Sequence, residues 1–182
     1  MMKHDDFSTL AVDNQDNICY ISDPVTYELL YLNRKARELT GIDGSLAGQK
    51  CYEVLQGKDA PCEFCTNHLL EAGKSYCWEF HNLNFDKMFS LRDTLVESHG
   101  RKLRLEWGVD VTERRKEAAA LTDKLLLEET LIRCIQTLSG EQDTQAALDS
   151  LLAIVGEYYA ANRAYIFEFD FDSGTINNTH EW

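Results

Sequence analysis

The sequence predicts an α+β fold in which an antiparallel sheet carries short helices and one long helix follows it. Three features predict this. Two short apolar runs precede residue 33, longer runs of period-two alternation lie between residues 75 and 109, and Glu113 to Ser139 contains no Gly or Pro.

Ile18, Tyr20 and Ile21 form a first strand ended by the Ser22-Asp23-Pro24 turn, and Glu28 to Leu32 forms a second. Asn33 is placed to cap a helix over Arg34–Thr40, with Gly41 to close it. Cys51 to Leu55 reads as one or two helical turns, Gly57 to Pro61 as a loop, and Thr66–Ala72 as a further helix closed by Gly73. Ser75–His81 alternates Tyr76, Trp78 and Phe80 against Cys77, Glu79 and His81. Met88–Val96 follows, and after a Ser98-His99-Gly100 turn Leu103, Leu105, Trp107 and Val109 alternate with Arg104, Glu106 and Gly108. One apolar and one half-polar face fit a sheet packed on helices by its apolar side.

The run from Glu113 to Ser139 is helical, roughly 40 Å long at 1.5 Å per residue. Two adjacent heptad-spaced stripes, one through Leu127, Leu131 and Leu138 and one through Leu121, Leu125, Ile132 and Ile135, suit a partner helix. A homodimer through residues 113–139 is expected, against the alternative of a helix packed on its own domain. After Gly140 come an amphipathic helix (Leu148, Leu151, Leu152, Val155, Tyr159) and a hairpin with Tyr165, Phe167, Phe169 and Phe171 on one face and a turn at Asp172-Ser173-Gly174-Thr175. One helix and one hairpin bury little, so residues 140–182 read as the front of a truncated domain.

The 182 residues carry a net charge of −13, and the last 43 contribute −7 of it, while residues 112–139 are neutral. That balance argues against nucleic-acid or anionic-lipid binding. No apolar run approaches a membrane span, and the start (Met1 to Asp6) lacks a secretory h-region, so a cytoplasmic location is expected. There is no Gly-rich phosphate loop, no H-E-x-x-H and no G-x-S-x-G, so no enzyme is expected.

Tyr31, Asn33, Ala36, Leu39, Thr40 and Gly41, the Gly100-Arg101 hairpin with Leu103 to Glu106, and the run Asp110-Val111-Thr112-Glu113-Arg114-Arg115 together resemble the PAS sensor domains. The last of these resembles the point where a PAS domain passes into a signalling helix. Arg163 to Phe169 and Asn178 to Trp182 resemble the start of a GAF domain. The resemblances imply a PAS-like sheet with short helices on one face over residues 1–111, a connector helix over 112–139, and a GAF-like helix plus hairpin over 140–182. They imply a non-catalytic sensory module of a bacterial signalling protein of the GGDEF/EAL or histidine-kinase type, relaying a small-molecule or redox input to cyclic-di-GMP turnover or a kinase downstream. A ligand-free dimerisation scaffold is the structural alternative.

PAS domains bind ligands between the inner sheet face and the short helices. On that resemblance Trp78, Phe80, Leu105 and Trp107 are the candidate pocket lining, unless they simply fill the core. Haem would want an axial His, for which His68 is the near candidate, and the Asn-Cys-Arg-rich motif of a flavin photoreceptor is absent. A carboxylate ligand would want a buried Arg, whereas Arg92 and Arg104 alternate toward the polar face.

Of six cysteines, Cys51, Cys62, Cys65 and Cys77 are the candidate metal ligands, with His68 or His81 as replacements. The C-x2-C and two further thiols suit Zn or an Fe–S cluster. Cys62 and Cys65 alone suit a redox pair, and plain buried or surface thiols are the third reading. Cys19 and Cys134 stand apart.

Overall fold

The computed structural model describes residues 4–182, so the first three residues of the expected sensor domain lie outside the described residues. The chain divides into two compact units, Met1–Arg115 and Lys116–Trp182.

In the first unit a helix α1 (His4–Asp13) precedes β1 (Ile18–Ser22) and β2 (Leu29–Leu32), then α2 (Arg34–Thr40) and α3 (Cys51–Gln56). A 3-10 turn (Thr66–Leu69) follows, then β3 (Ser75–Asn82), β4 (Lys87–Ser98) and β5 (Arg101–Asp110). The five strands form one antiparallel sheet in the order β2-β1-β5-β4-β3. This is the α+β architecture that the sequence predicts, an antiparallel sheet with short helices on one face and a long helix after it.

Asn33 organises the crossing from β2 to α2. Its Oδ1 accepts from Ala36 N at 3.0 Å, capping the helix, and from Cys19 N at 2.9 Å, while Nδ2 donates to Asn17 O at 2.9 Å. The expected helix over Thr66–Ala72 is shorter in the structure. Its 3-10 turn ends at Leu69, and Ala72 bridges in parallel to Leu95. Cys65 caps no amide there, and the side chains of Thr66 and Asn67 are used in long-range bonds to Asp93 and Pro24 O.

The core lies on the inner sheet face, where Ile18, Tyr20, Leu29, Leu32, Phe89 and Leu91 pack against Ala36 of α2 and Leu55 of α3. Gly108 makes this packing close. It pairs with Ile18 on one side and Leu91 on the other, and a Cβ at 108 would stand 2.6 Å from Ile18 Cγ1 and 2.9 Å from Leu91 Cδ2.

α4 (Thr112–Gly140) begins one residue after β5. The second unit continues with α5 (Thr144–Tyr158) and the hairpin β6 (Tyr165–Asp170) and β7 (Thr175–Glu181). Leu121, Leu125, Leu131, Ile132, Ile135 and Leu138 of α4 are exposed in the single chain, as are Phe167, Phe169 and Phe171 near the hairpin tip. Among the described residues no helix is long and apolar enough to cross a membrane.

Candidate functional site

Strand β5 turns its charged side inward. Arg104, Glu106 and Gly108 are buried, while Leu103, Leu105 and Trp107 point to the other sheet face and are half-buried. This corrects the expectation that the apolar alternation faces the helices and that Arg104 faces solvent. Cross-strand pairing fixes the geometry: Glu106 lies between Asp93 and Tyr20, while Trp107 lies between Arg92 and Cys19 on the outer face. Arg92 is exposed there. Burial of the polar face is tolerated because its charges satisfy one another.

Arg104 is the hub of that cluster. Its Nη2 donates to Asp93 Oδ1 at 3.0 Å and to Glu106 Oε2, and its Nη1 donates to Asn67 Oδ1 at 3.2 Å. The same Nη1 stands 3.8 Å from Cys65 Sγ. Among the described residues Arg104 Nε is buried without a hydrogen-bond partner. Asp93 Oδ2 accepts from Thr66 Oγ1 at 2.6 Å and from Trp78 Nε1 at 2.9 Å.

One buried cation thus faces two buried carboxyls, and they divide the charge. Burial works to raise Asp93, but hydrogen bonds from Glu106, Thr66 and Arg104 and the Arg104 charge outweigh it and hold Asp93 below the usual carboxylate range. Burial pushes Glu106 up to about 8, against the pull of Arg104, and its hydrogen bond to Asp93 adds to the rise. The cluster thus pairs the Arg104 cation with the Asp93 carboxylate, while burial biases Glu106 toward its protonated form.

Above it lies a small pocket between the sheet and α3. Its free space is about 30 Å³, on the order of one water or two. Tyr20, Trp78, Arg104 and Glu106 line its sheet side, and Cys51, Cys62, Phe64 and Cys65 cover it. Phe64 packs against Phe80 with ring centroids 4.4 Å apart and planes tilted by 33°. Trp78 and Phe80 therefore sit on the inner face. Leu105 and Trp107 do not: they line an open groove on the outer face with Cys77.

The same division separates the cysteines. Cys51, Cys62 and Cys65 share the pocket, and Cys77 lies on the opposite side of the sheet. Among the described residues no group of three or more His, Cys, Asp and Glu side chains is arranged to hold a metal ion. The suggested replacements are elsewhere: His68 is exposed on the 3-10 turn, and His81 Nε2 is 3.1 Å from Asp86 Oδ1 at the surface. Burial pushes the Cys51 thiol up to about 12 and raises Cys62 as well.

The sequence places Arg104 on the polar face of its strand and assigns no role to Glu106, Asp93 or Thr66. The one mark they leave is Gly108, two residues along the same face as Glu106, since a glycine within a strand signals close approach on its side.

No protein-family model matches the chain, and no curated protein matches it. Among solved structures the chain is similar to the PAS domain of an HTR-like protein from Haloarcula marismortui, at 15% identity over 58% of this chain and 90% of that one, with a TM-score of 0.47. It is also similar to the PAS domain of nitrogen regulation protein NR(II) from Vibrio parahaemolyticus, at 15% identity over 57% and 97% of the two chains, with a TM-score of 0.44. The LOV protein of Rhodobacter sphaeroides matches at 17% identity over 87% and 95%, with a TM-score of 0.43.

Proposed function

We propose that the chain is a non-catalytic sensory module in which the pocket over Arg104 and Glu106 receives a small-molecule or redox input and α4 carries the response. The observation that carries this reading is continuity. Arg104 and Glu106 sit on β5, and β5 passes into α4 through Val111 alone.

That joint is tightly held. Asp110 Oδ1 accepts from Thr112 N at 3.0 Å and from Thr112 Oγ1 at 2.6 Å, and Thr112 Oγ1 accepts from Met88 N at 2.9 Å. A shift of β5 at the pocket therefore reaches the first turn of α4 through backbone and side-chain bonds. A bistable helix biased at one end is a known way to relay such a shift.

In this reading α4 pairs with α4 of a second copy through its exposed leucine and isoleucine stripe. Residues 140–182 are the front of a GAF-like domain, and the output is cyclic-di-GMP turnover or a kinase. A ligand-free dimerisation scaffold is the second reading, favoured by the small free space of the pocket, about 30 Å³.

Native mass spectrometry of the chain purified from cells decides between the two. A retained small molecule that is lost on Trp78→Ala supports the ligand-binding sensor; a bare mass in every preparation supports the scaffold.

A further inference from the structure

We propose that Cys65 is a peroxide-oxidisable thiol, resolved by Cys62, and that the resulting disulfide draws the Cys65 sulfur away from Arg104. The inference rests on the sensory reading for its signalling meaning, since it names an oxidant as the input class of the same pocket.

Three observations place the chemistry at these two residues. Cys65 N donates to Cys62 O at 3.1 Å, closing the C-x2-C segment into a turn. Such a turn keeps its end Cα atoms within about 7 Å, overlapping the roughly 4.4–6.8 Å that a disulfide spans. Both residues are half-buried and line one pocket, so neither is sealed from a molecule as small as peroxide. Finally, Arg104 Nη1 stands 3.8 Å from the Cys65 sulfur, a cation placed to stabilise the negative charge that develops on the departing peroxide oxygen as the sulfur attacks.

The remaining thiols are placed differently. Cys51 shares the pocket, but its proton is held by burial. Cys19 is fully buried, and burial raises it to about 11. Cys77 is exposed on the outer face and serves as the internal reference for accessibility alone.

The reaction balances without a further reductant. The Cys65 sulfur attacks one peroxide oxygen, the O–O bond breaks, and the second oxygen leaves as water, giving a sulfenic acid. The Cys62 sulfur then attacks the Cys65 sulfur; the S–S bond forms, the S–O bond breaks, and the hydroxyl leaves as water with the Cys62 proton. Two thiols thus supply the two electrons that reduce one peroxide to two waters.

The consequence falls on the ion cluster. Arg104 Nη1 loses the sulfur and keeps Asn67 Oδ1. Cys65 also directly precedes Thr66, whose hydroxyl donates to Asp93 at 2.6 Å. Oxidation at the pocket wall therefore pulls on both partners of the buried pair.

The test treats the whole chain with equimolar hydrogen peroxide and maps thiols by alkylation, dimedone trapping and peptide mass spectrometry. The expected result is loss of two of the six thiols as a Cys62–Cys65 disulfide. Cys62→Ser should stop at a dimedone adduct on Cys65, and Cys65→Ser should slow the loss of thiol at least about tenfold. First oxidation at Cys77, or an unchanged rate in Cys65→Ser, would overturn the assignment. Thiol mapping does not depend on ligand capture, so a negative result leaves the small-molecule reading standing, and a bare native mass leaves the oxidation result standing.

Discussion

Arg104 Nη2 lies 3.0 Å from Asp93 Oδ1, and the two side chains are 6% and 0% exposed. A fully enclosed pair of this kind differs from the ion pairs on the surface of the same unit. Arg34 and Glu38 make an i,i+4 contact with both side chains about half exposed, where solvent screens most of the attraction.

Removing Asp93 should therefore be costly out of proportion to one contact. Asp93→Ala leaves Glu106 as the one carboxyl facing the buried Arg104 cation among the described residues, and it strands the Thr66 and Trp78 donors. A loss of about 3–5 kcal/mol is expected in urea unfolding, against a barely measurable change for Glu38→Ala. Similar losses for the two variants would mean that the buried cluster is energetically ordinary.

Glu106 gives the stability a pH signature. Its folded value is raised from 4.5 to about 8, so its contribution is full below the unfolded value and is lost as pH rises through about 8. Asp93 has the opposite sign: lowered in the fold, it contributes above its unfolded value of 3.8 and is lost in acid. The urea midpoint should fall between about pH 5 and about pH 8 and level off above it, and Glu106→Gln should flatten that fall. An equal fall in both proteins would place the titration elsewhere.

The strands, the Asn33 cap and the long helix were legible in the sequence because period and capping chemistry are local. The face of β5 was not. Leu103, Leu105, Trp107 and Val109 offer the more apolar side, and the ordinary rule buries that side. It fails because Asp93 on β4, Glu106 beside it and Arg104 satisfy one another, a compensation that only the register between strands creates. The cysteines divided for a related reason. Period two puts Cys77 opposite Trp78 on β3, while the turn at Cys62–Cys65 folds over the Trp78 side.

Within the second unit, Gly156 of α5 meets the Trp182 ring directly. A Cβ at 156 would lie 2.0 Å from Trp182 Cζ3. Since the ring is rigid, Gly156→Ala should displace it, lowering stability by about 1–3 kcal/mol and red-shifting the emission of a Trp78→Phe, Trp107→Phe background in which Trp182 alone fluoresces. Unchanged emission would contradict the packing.

The stripe on α4 makes a prediction about assembly. Leu125, Ile132 and Ile135 are 55–63% exposed in the single chain, more apolar surface than a lone helix keeps by choice. Sedimentation should report a dimer, and the pair Leu125→Glu with Ile132→Glu should return a folded monomer. A monomeric wild-type chain would remove α4 as the dimer seam.

Amide hydrogen exchange tests the link from pocket to helix most directly. Wild-type and Glu106→Gln chains are compared as protection factors at about pH 9, where Glu106 carries charge in the first and none in the second. Relay through β5 predicts a several-fold difference in protection across Val111 to Arg115, with the β6–β7 hairpin unchanged. A difference confined to the strands around Glu106, with the start of α4 identical in the two proteins, would contradict it.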